Sequence, residues 1–329
     1  MSTRGPLGKI WNVYLFMLKT IGIALIAMTL FTCNSSKRMV RNSPNNYYHW
    51  TQKQNSMALS NGSQLHYIDE GEGQKVIVLL HGIPTSSWLY RLMIPSLVKE
   101  GYRVIAPDML GYGNSSKPRG YDIYNPMHQQ GYLMELMNSL KINNWTHVCH
   151  DGGGLWTWEF IKNNPNHIDK LIVLNSVIFA EGFKPPMQMK KNWFTKTYTK
   201  LYTTGISRKS TIEGTLKNGL SNHNDVCTPV MTDGYISPMK GKAHRALYQF
   251  FSNANTKSLP DYESVLKNCN IPSMVIWGAK DKILQWEPQK EKVKNALKVK
   301  DKDIHILADA THFIQEEHPN EIVNWIKDF

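Results

Sequence analysis

Short runs of β-branched and other apolar residues recur along the chain from about residue 57, and longer amphipathic stretches separate them. Such runs predict buried strands, whereas apolar residues spaced three and four apart predict helices. The predicted strands are Val76–Leu80, Arg103–Ala106, His147–Cys149, Leu171–Leu174, Ser273–Trp277 and Ile304–Leu307. The predicted helices between them include Trp88–Lys99, Met127–Leu140, Leu155–Asn163 and Pro288–Leu297. This alternation predicts an α/β fold with a mostly parallel central sheet that is flanked by helices.

One interval interrupts the alternation. About a hundred residues separate the fourth predicted strand from the fifth, which is too many for a single crossover. This interval contains no apolar strand run, but it includes two aromatic and basic segments with helical character, Met187–Tyr202 and Ala243–Ser252. We therefore expect a helical cap that is inserted into the core. The expected boundaries are 178–260 for the cap and 57–177 with 261–329 for the core.

The N-terminal segment has the pattern of an export signal. Basic residues between Arg4 and Lys19 precede the apolar run Thr20–Thr32, which is too short to cross a bilayer core of about 30 Å. The run leads into Leu30-Phe31-Thr32-Cys33, which resembles a bacterial lipobox but has Thr before the Cys.

These features predict an exported protein that is attached to a membrane. Residues 1–33 form the expected export segment, and the Asn- and Ser-rich residues 34–56 form an expected polar tether. Attachment is expected through a lipid on Cys33. The alternative is an uncleaved anchor over Trp11–Phe31, in which Lys19 is a costly interruption.

Composition narrows the class of protein. Hydrophobic residues make up 41% and charged residues 19%, which excludes a disordered or coiled-coil chain. Four Cys without a CxxC pair offer neither a disulfide framework nor a zinc site. The net charge is +12, but the first 56 residues contain seven Lys or Arg and no acid. Most of the excess charge therefore belongs to the N-terminal segment, and we expect no nucleic-acid partner. The sequence contains no metal-ligand spacing and no phosphate-binding glycine loop, so we also expect no metal and no cofactor.

Three loops that follow predicted strands contain the residue types of a catalytic triad. Asp151 follows the third strand, and the small residues Cys149 and Gly153 on either side suit a sharp strand-to-helix turn. Asp281 follows the fifth strand and His312 follows the sixth. Taken singly, these residues could be a helix cap, a turn residue and a surface histidine. Their joint order predicts a nucleophile, an acid and a base at one sheet edge.

A fourth loop supplies the expected oxyanion hole. The sequence His81-Gly82-Ile83-Pro84 follows the first predicted strand. In a turn of this type the backbone N–H of Ile83 points toward a developing anion, and the backbone N–H of Gly152 supplies the second donor.

From about Leu65 to the C-terminus, the chain resembles α/β-hydrolases of the haloalkane dehalogenase and epoxide hydrolase branch. The resemblance lies in HGIPTSSWLYR (81–91), VIAPDMLGYGNSSKP (104–118), HDGGG (150–154), WGAKDK (277–282) and ATHFIQEEHP (310–319). It implies that Asp151 attacks an sp³ carbon to form an alkyl ester, which water activated by His312 and Asp281 then hydrolyses. A small apolar substrate and water are the expected partners.

The sequence departs from this branch where the leaving group is held. Dehalogenases usually have Trp directly after the nucleophile, and some have Asn after the His-Gly pair, whereas this chain has Gly152 and Ile83. Trp193 is the candidate for a replacement halide donor, with packing between cap and core as the alternative.

Epoxide hydrolases instead need cap tyrosines that protonate the opening oxygen. Phe250 is the nearest fit to one such position, and Tyr248 is close to it. Further candidates are Tyr198, Tyr202 and Tyr235. The sequence therefore favours a dehalogenase-like hydrolase, with an epoxide hydrolase as the alternative. A catalytically silent ligand-binding protein on the same fold is the alternative from a different class.

Overall fold

A computed structural model of the chain describes residues 46–185, 188–254, 257 and 259–329, and the side chain of residue 206 is not described. Its centre is an eight-stranded sheet. The strands are β1 (Asn55–Ala58), β2 (Gln64–Glu70), β3 (Lys75–Leu80), β4 (Tyr102–Asp108), β5 (Trp145–Asp151), β6 (Ile168–Ser176), β7 (Ser273–Gly278) and β8 (Ile304–Leu307).

The strand order is β1-β2-β4-β3-β5-β6-β7-β8. Pairs β1–β2 and β2–β4 are antiparallel, and the remaining five pairs are parallel. Strands β3 and β5–β7 are buried along most of their length because both faces of this part of the sheet are covered. The α/β class is confirmed, and each of the six predicted strands falls within one of β3–β8. Strands β1 and β2 were not predicted.

Helices flank the sheet in two packed groups. The helices outside the β6–β7 interval are α1 (Tyr47–Gln52), α2 (Ile94–Lys99), α3 (Pro126–Ser139), α4 (Gly153–Asn163), α11 (Lys290–Leu297), α12 (Ile314–Glu317) and α13 (Pro319–Asp328). Helices α3 and α4 pack together, and α2 packs on α13. The predicted helix Trp88–Lys99 is divided into a 3₁₀ turn at Ser87–Tyr90 and α2, which begins beside Pro95 because proline has no N–H to donate.

The chain between β6 and β7 is mainly helical from Trp193 on, whereas the described residues of 177–192 form no helix. It contains α5 (Trp193–Leu201), α6 (Gly205–Gly219), α7 (His223–Val226), α8 (Pro229–Ile236), α9 (His244–Asn253) and α10 (Glu263–Asn268). We refer to α5–α9 as the cap helices. Helix α5 packs on α9, and α6 packs on α8. The described residues of 188–254 include no strand, as the sequence leads us to expect.

The expected polar tether is wrong for residues 47–56, which include α1 and the first residues of β1. Tyr47 and Trp50 are buried, and both rings pack edge-on against Trp88 at 5.7 Å. The Trp50 indole N–H also donates to Ser87 Oγ at 3.2 Å. These aromatic contacts outweigh the polar composition of the surrounding segment.

The export segment, Cys33 and the first part of the tether lie outside the described residues. Within the described part of the chain, no helix has the length and apolar character needed to span a bilayer.

Candidate active site

Asp151 lies at a strained turn between β5 and α4. Its φ of 47° is in the left-handed region, which non-glycine residues rarely adopt. A Cβ at Gly153 would lie 2.6 Å from the His81 carbonyl oxygen, and one at Gly82 would lie 2.4 Å from Asp151 Cβ. Glycine is therefore required at both positions, and the turn presents the Asp151 side chain at the carboxyl edge of the sheet.

The two carboxylate oxygens of Asp151 have different partners. Oδ2 accepts the backbone N–H of Ile83 at 2.8 Å, and the neighbouring Gly152 backbone N–H helps to lower the pKa of the carboxylate. Oδ1 lies 3.4 Å from His312 Nε2. Burial raises the pKa of Asp151, but the hydrogen bond and positive charge of His312 outweigh it and lower the pKa below its ordinary value. Asp151 is thus held as an anion, with Oδ2 in the predicted oxyanion hole.

His312 lies between two carboxylates. Its Nδ1 donates to Asp281 Oδ2 at 2.8 Å, while its Nε2 faces Asp151. Burial lowers the pKa of His312, but Asp281 and Asp151 together raise it to about 10. The resting site at neutral pH is therefore an imidazolium held between two anions.

Asp281 is fixed by four hydrogen bonds. Its Oδ1 accepts the backbone N–H groups of Ile283 and Leu284 at 2.8 and 2.9 Å, and its Oδ2 accepts His312 and the Asn175 amide N–H at 2.7 Å. Burial raises the pKa of Asp281, but the charge of His312 and these hydrogen bonds lower it overall.

Asn175 was missed by the sequence analysis. It is buried near the end of β6, with φ of 34°, and its side-chain oxygen accepts the Gly278 N–H at 2.9 Å. Its amide thus joins β6, β7 and the acid loop. An Asn directly after the predicted strand Leu171–Leu174 is the signal that could have found it, since that position lies at the same sheet edge.

Two further histidines support the site. His81 Nε2 accepts the Met109 N–H at 3.0 Å, so its Nδ1 carries the proton that is donated to Gly82 O at 2.7 Å. His150 Nε2 donates to the His312 carbonyl at 2.9 Å. Burial, reinforced by the charge of His312, lowers the pKa of His150 to about 4, so this ring is neutral. No role for His150 was predicted from the sequence.

Phe250 is the predicted cap residue that approaches the nucleophile. A Cβ at Gly152 would lie 2.6 Å from Phe250 Cε2, so the ring occupies the space beside the Gly152 backbone. Tyr248 is on the same helix, α9, but about 200° around it from Phe250, and its ring packs against Tyr121 at 4.8 Å.

The expected leaving-group donors of the cap are not at Asp151. Trp193 is 75% exposed, which contradicts its proposed contact with substrate and also the alternative of core packing. The Tyr235 hydroxyl donates to Glu316 at 2.6 Å. Tyr198 and Tyr202 pack on each other at 5.9 Å, and neither forms a hydrogen bond with Asp151.

No cluster of three or more His, Cys, Asp or Glu side chains in the described part of the chain is arranged to hold a metal ion. The site that the described residues do form is a carboxylate, an imidazole and a second carboxylate, with two backbone N–H donors. Such an arrangement can carry out nucleophilic catalysis through a covalent ester.

The fold and this arrangement define a class. The chain belongs to the α/β hydrolase fold family, whose model matches residues 75–319, and it is an enzyme of that family by descent.

Individual relatives within the family differ in activity. It is 28% identical over 287 residues to a cis-3-alkyl-4-alkyloxetan-2-one decarboxylase of Shewanella oneidensis, covering 82% of this chain and 86% of the relative. It is 29% identical to a haloalkane dehalogenase of Mycobacterium marinum, covering 80% and 88%. A shorter match, 35% identical and covering 37% of each chain, is to an epoxide hydrolase of Caballeronia sordidicola.

Solved structures agree on the fold. The haloalkane dehalogenase of Paraglaciecola agarilytica superimposes with a TM-score of 0.63 at 23% identity, covering 82% of this chain and 90% of that one. An esterase of Exiguobacterium antarcticum gives 0.68 at 19% identity, covering 83% and 97%. The resemblance stated from the motifs is thus confirmed at the level of family and fold.

Proposed function

We propose that Asp151 is a nucleophile that attacks an sp³ carbon and that the chain is a dehalogenase-like hydrolase of a small apolar substrate. One observation supports this most strongly. Asp151 Oδ2 already accepts the Ile83 N–H at 2.8 Å, while Oδ1 lies only 3.4 Å from His312 Nε2. Oδ1 is then the attacking atom, and Oδ2 becomes the carbonyl oxygen of the ester without leaving its donors.

The charges support a nucleophile rather than a general base. A carboxylate with a lowered pKa is a weak base, and an imidazolium with a raised pKa cannot accept a proton in the resting site. Displacement of a leaving group by Oδ1 neutralises Asp151. Because His312 then loses one of its two anionic partners, its pKa falls and it can release its proton.

Hydrolysis follows from the same atoms. Neutral His312 takes a proton from water as the water oxygen attacks the ester carbonyl, and the negative charge develops on Oδ2 beside the Ile83 and Gly152 N–H groups. The tetrahedral intermediate expels the alkoxide, which receives the proton from His312. The alcohol thus keeps the former Oδ1, and Asp151 gains an oxygen from water. The second proton of the water stays on the Asp151 carboxyl group and passes to His312, which restores the carboxylate and the imidazolium.

The leaving group separates the candidate substrates. A haloalkane is favoured by the dehalogenase relative that covers 80% of this chain. An epoxide is the alternative on the same triad. It requires an acid for the opening oxygen, and the Tyr235 hydroxyl, one of those proposed from the sequence, donates to Glu316 instead.

A second candidate is a β-lactone, favoured by the Shewanella relative, whose name states decarboxylation of an alkyl-substituted oxetan-2-one. Asp151 attacks the sp³ ring carbon that is bonded to the ring oxygen and breaks that C–O bond. The ring oxygen then belongs to a carboxylate that remains part of the ester-bound substrate. Loss of CO₂ with expulsion of Asp151 then yields an alkene and restores the enzyme without water. A carboxylate delocalises its own charge, so this leaving group depends less on a side-chain donor.

The experiment traps the covalent ester. His312→Phe should leave attack intact and block release, so mass spectrometry should find a substrate-sized adduct on Asp151. The matched control, His305→Phe, changes a half-buried histidine whose ring stacks on Trp325, and it should turn over normally. Each protein receives a bromoalkane, an epoxide, a β-lactone and a carboxylic ester, with bromide, diol, alkene with CO₂, and acid as readouts.

A single turnover in ¹⁸O water tests the role of Asp151. The first alcohol formed should contain no ¹⁸O, and Asp151 should gain the label. Labelled alcohol in the first turnover shows that Asp151 is a base and overturns the proposal. Ligand binding without any adduct or product from the panel identifies the chain as a catalytically silent binding protein.

The location is proposed from the N-terminal segment. We propose an exported protein that is attached to a membrane through a lipid on Cys33. Cys33→Ser should shift the protein out of the membrane fraction or leave it unprocessed. Unchanged attachment and unchanged size favour the uncleaved anchor instead.

A further inference from the structure

The cap helix α5 has its apolar residues on the outside. Its inner face carries the buried residues Thr195 and Thr199. Trp193, Phe194 and Leu201 are 75%, 48% and 42% exposed. A helix that packs on a core normally shows the opposite distribution, with apolar residues buried and short polar residues in water.

The exposed apolar residues lie on one side of α5 and form a stripe in which the exposed Thr197 lies between Trp193 and Leu201. At about 100° per residue, Phe194 and Leu201 lie nearly above each other, and Trp193 lies within about 100° of both. The buried residues Thr195 and Thr199 fall on the opposite side of the helix. The stripe is therefore a coherent face of α5 and not a set of scattered surface apolar residues.

The charge around this stripe has one sign. Residues 182–212 contain seven Lys or Arg and no Asp or Glu. Lys190 and Lys191 directly precede the helix, and Lys200 flanks the stripe; all three are exposed. None of these three forms an ion pair with another described residue.

We propose that this face of α5, with its flanking lysines, docks on the surface of an anionic phospholipid membrane. Tryptophan and phenylalanine bind at the boundary between headgroups and acyl chains, and lysines reach the anionic headgroups beside them. A protein partner fits less well, because the centres of protein interfaces are depleted in lysine. The lipid proposed on Cys33, in the part of the chain that precedes the described fold, is a second membrane attachment of the same molecule.

Docking through α5 has a consequence for the site. Helix α5 packs on α9, and α9 carries Phe250, which lies beside the Gly152 backbone. A membrane in contact with α5 is therefore next to the helix that covers the nucleophile. An apolar substrate dissolved in the bilayer then reaches the cap without crossing open water.

The test measures Trp193 in the full chain, because the N-terminal segment alone is expected to attach the protein. The protein and its Trp193→Phe variant are reconstituted in phosphatidylcholine vesicles with or without phosphatidylglycerol, with some acyl chains brominated. The difference in fluorescence quenching between the two proteins reports the contact of Trp193 with acyl chains. We expect such a difference in the anionic vesicles, and protection of Trp193 from aqueous acrylamide there.

Charge reversal provides the matched comparison. Each lysine near an anionic surface contributes about fivefold to binding, so Lys190→Glu with Lys191→Glu should weaken the Trp193 contact at least tenfold. Lys300→Glu with Lys302→Glu makes the same charge change away from α5 and should leave it intact. Trp193 that stays open to acrylamide in anionic vesicles overturns the proposal. So does shielding of Trp193 that rises with protein concentration in the absence of vesicles, which identifies a second copy of the chain as the occupant.

Discussion

Replacing Gly152 by Ala tests the placement of Phe250 beside the nucleophile. The backbone at Gly152 has φ of −63° and ψ of −17°, which alanine adopts without strain. The cost of the substitution is therefore steric. The new Cβ would lie 2.6 Å from Phe250 Cε2 and 2.8 Å from Ile83 Cγ1, closer than carbon atoms approach without displacement.

The magnitude depends on which neighbour moves. Overpacking of this kind costs about 1–3 kcal/mol of unfolding free energy. Phe250 lies on a cap helix and is only partly buried, whereas Ile83 belongs to the loop that holds Asp151. In a Phe250→Ala background the closest contact is absent, so Gly152→Ala should cost about 1 kcal/mol less than it does in the parent protein.

Urea unfolding of the four proteins of this double-mutant cycle measures the coupling. Gly131→Ala is the control, because a Cβ at this helical glycine of α3 meets no atom within 4 Å and should be neutral or stabilising by up to about 1 kcal/mol. The rate of adduct formation on Asp151 in the four proteins should follow the same coupling. Free energies that add within about 0.5 kcal/mol refute the placement of the Phe250 ring beside Gly152.

Three further predictions concern the groups around the triad. The pKa of His312 is raised to about 10 in the folded protein, so the protonated ring stabilises the protein fully below pH 6.5. This stabilisation is lost as the pH rises toward 10, and thermal melts of His312→Gln should lack that part of the decrease in stability with pH. Asn175→Ala removes the amide that donates to Asp281 and leaves the Gly278 N–H unpaired, so it should cost about 1–3 kcal/mol of unfolding free energy. The acid limb of the pH profile of hydrolysis should also move to higher pH, which a purely structural role does not produce. Tyr235→Phe removes the hydroxyl that donates to Glu316 and should cost about 1–2 kcal/mol without slowing the opening of an epoxide; slower opening at unchanged stability identifies this hydroxyl as the missing acid.

The positions of the triad were predictable because the signal is local. Asp151, Asp281 and His312 each follow a recognisable apolar strand, and parallel strands bring their carboxyl ends to one edge. The glycines around Asp151 reflect contacts that any side chain would obstruct. The residues that support the triad carry no such local signal. The sequence around Asn175 does not distinguish it from other residues that follow a strand. Only the register of β6 beside β7 places its amide within hydrogen-bond distance of Asp281.

The cap and the N-terminal boundary were less predictable because packing direction decides them. Trp193 belongs to an amphipathic stretch, and amphipathicity shows that two faces differ without showing which one meets the core. Thr195 and Thr199 take the inner face, so Trp193 is turned outward. At the other boundary, Tyr47 and Trp50 are two aromatic residues in a polar segment, and their partner Trp88 lies far along the chain.

The donors around Asp151 imply what kind of leaving group suits this site. The backbone N–H groups of Ile83 and Gly152 both serve the carboxylate itself, and therefore the ester carbonyl that it becomes. On the cap side, the described neighbour is the apolar ring of Phe250. Stabilisation is thus concentrated on the hydrolytic half of the reaction. Of the donors that the sequence proposed for the departing group, Trp193 is turned outward and the Tyr235 hydroxyl is engaged by Glu316. Displacement then depends mainly on the intrinsic stability of the departing anion. A heavy halide or a delocalised carboxylate meets that requirement better than an alkoxide, which ranks the dehalogenation and lactone-opening candidates above epoxide opening.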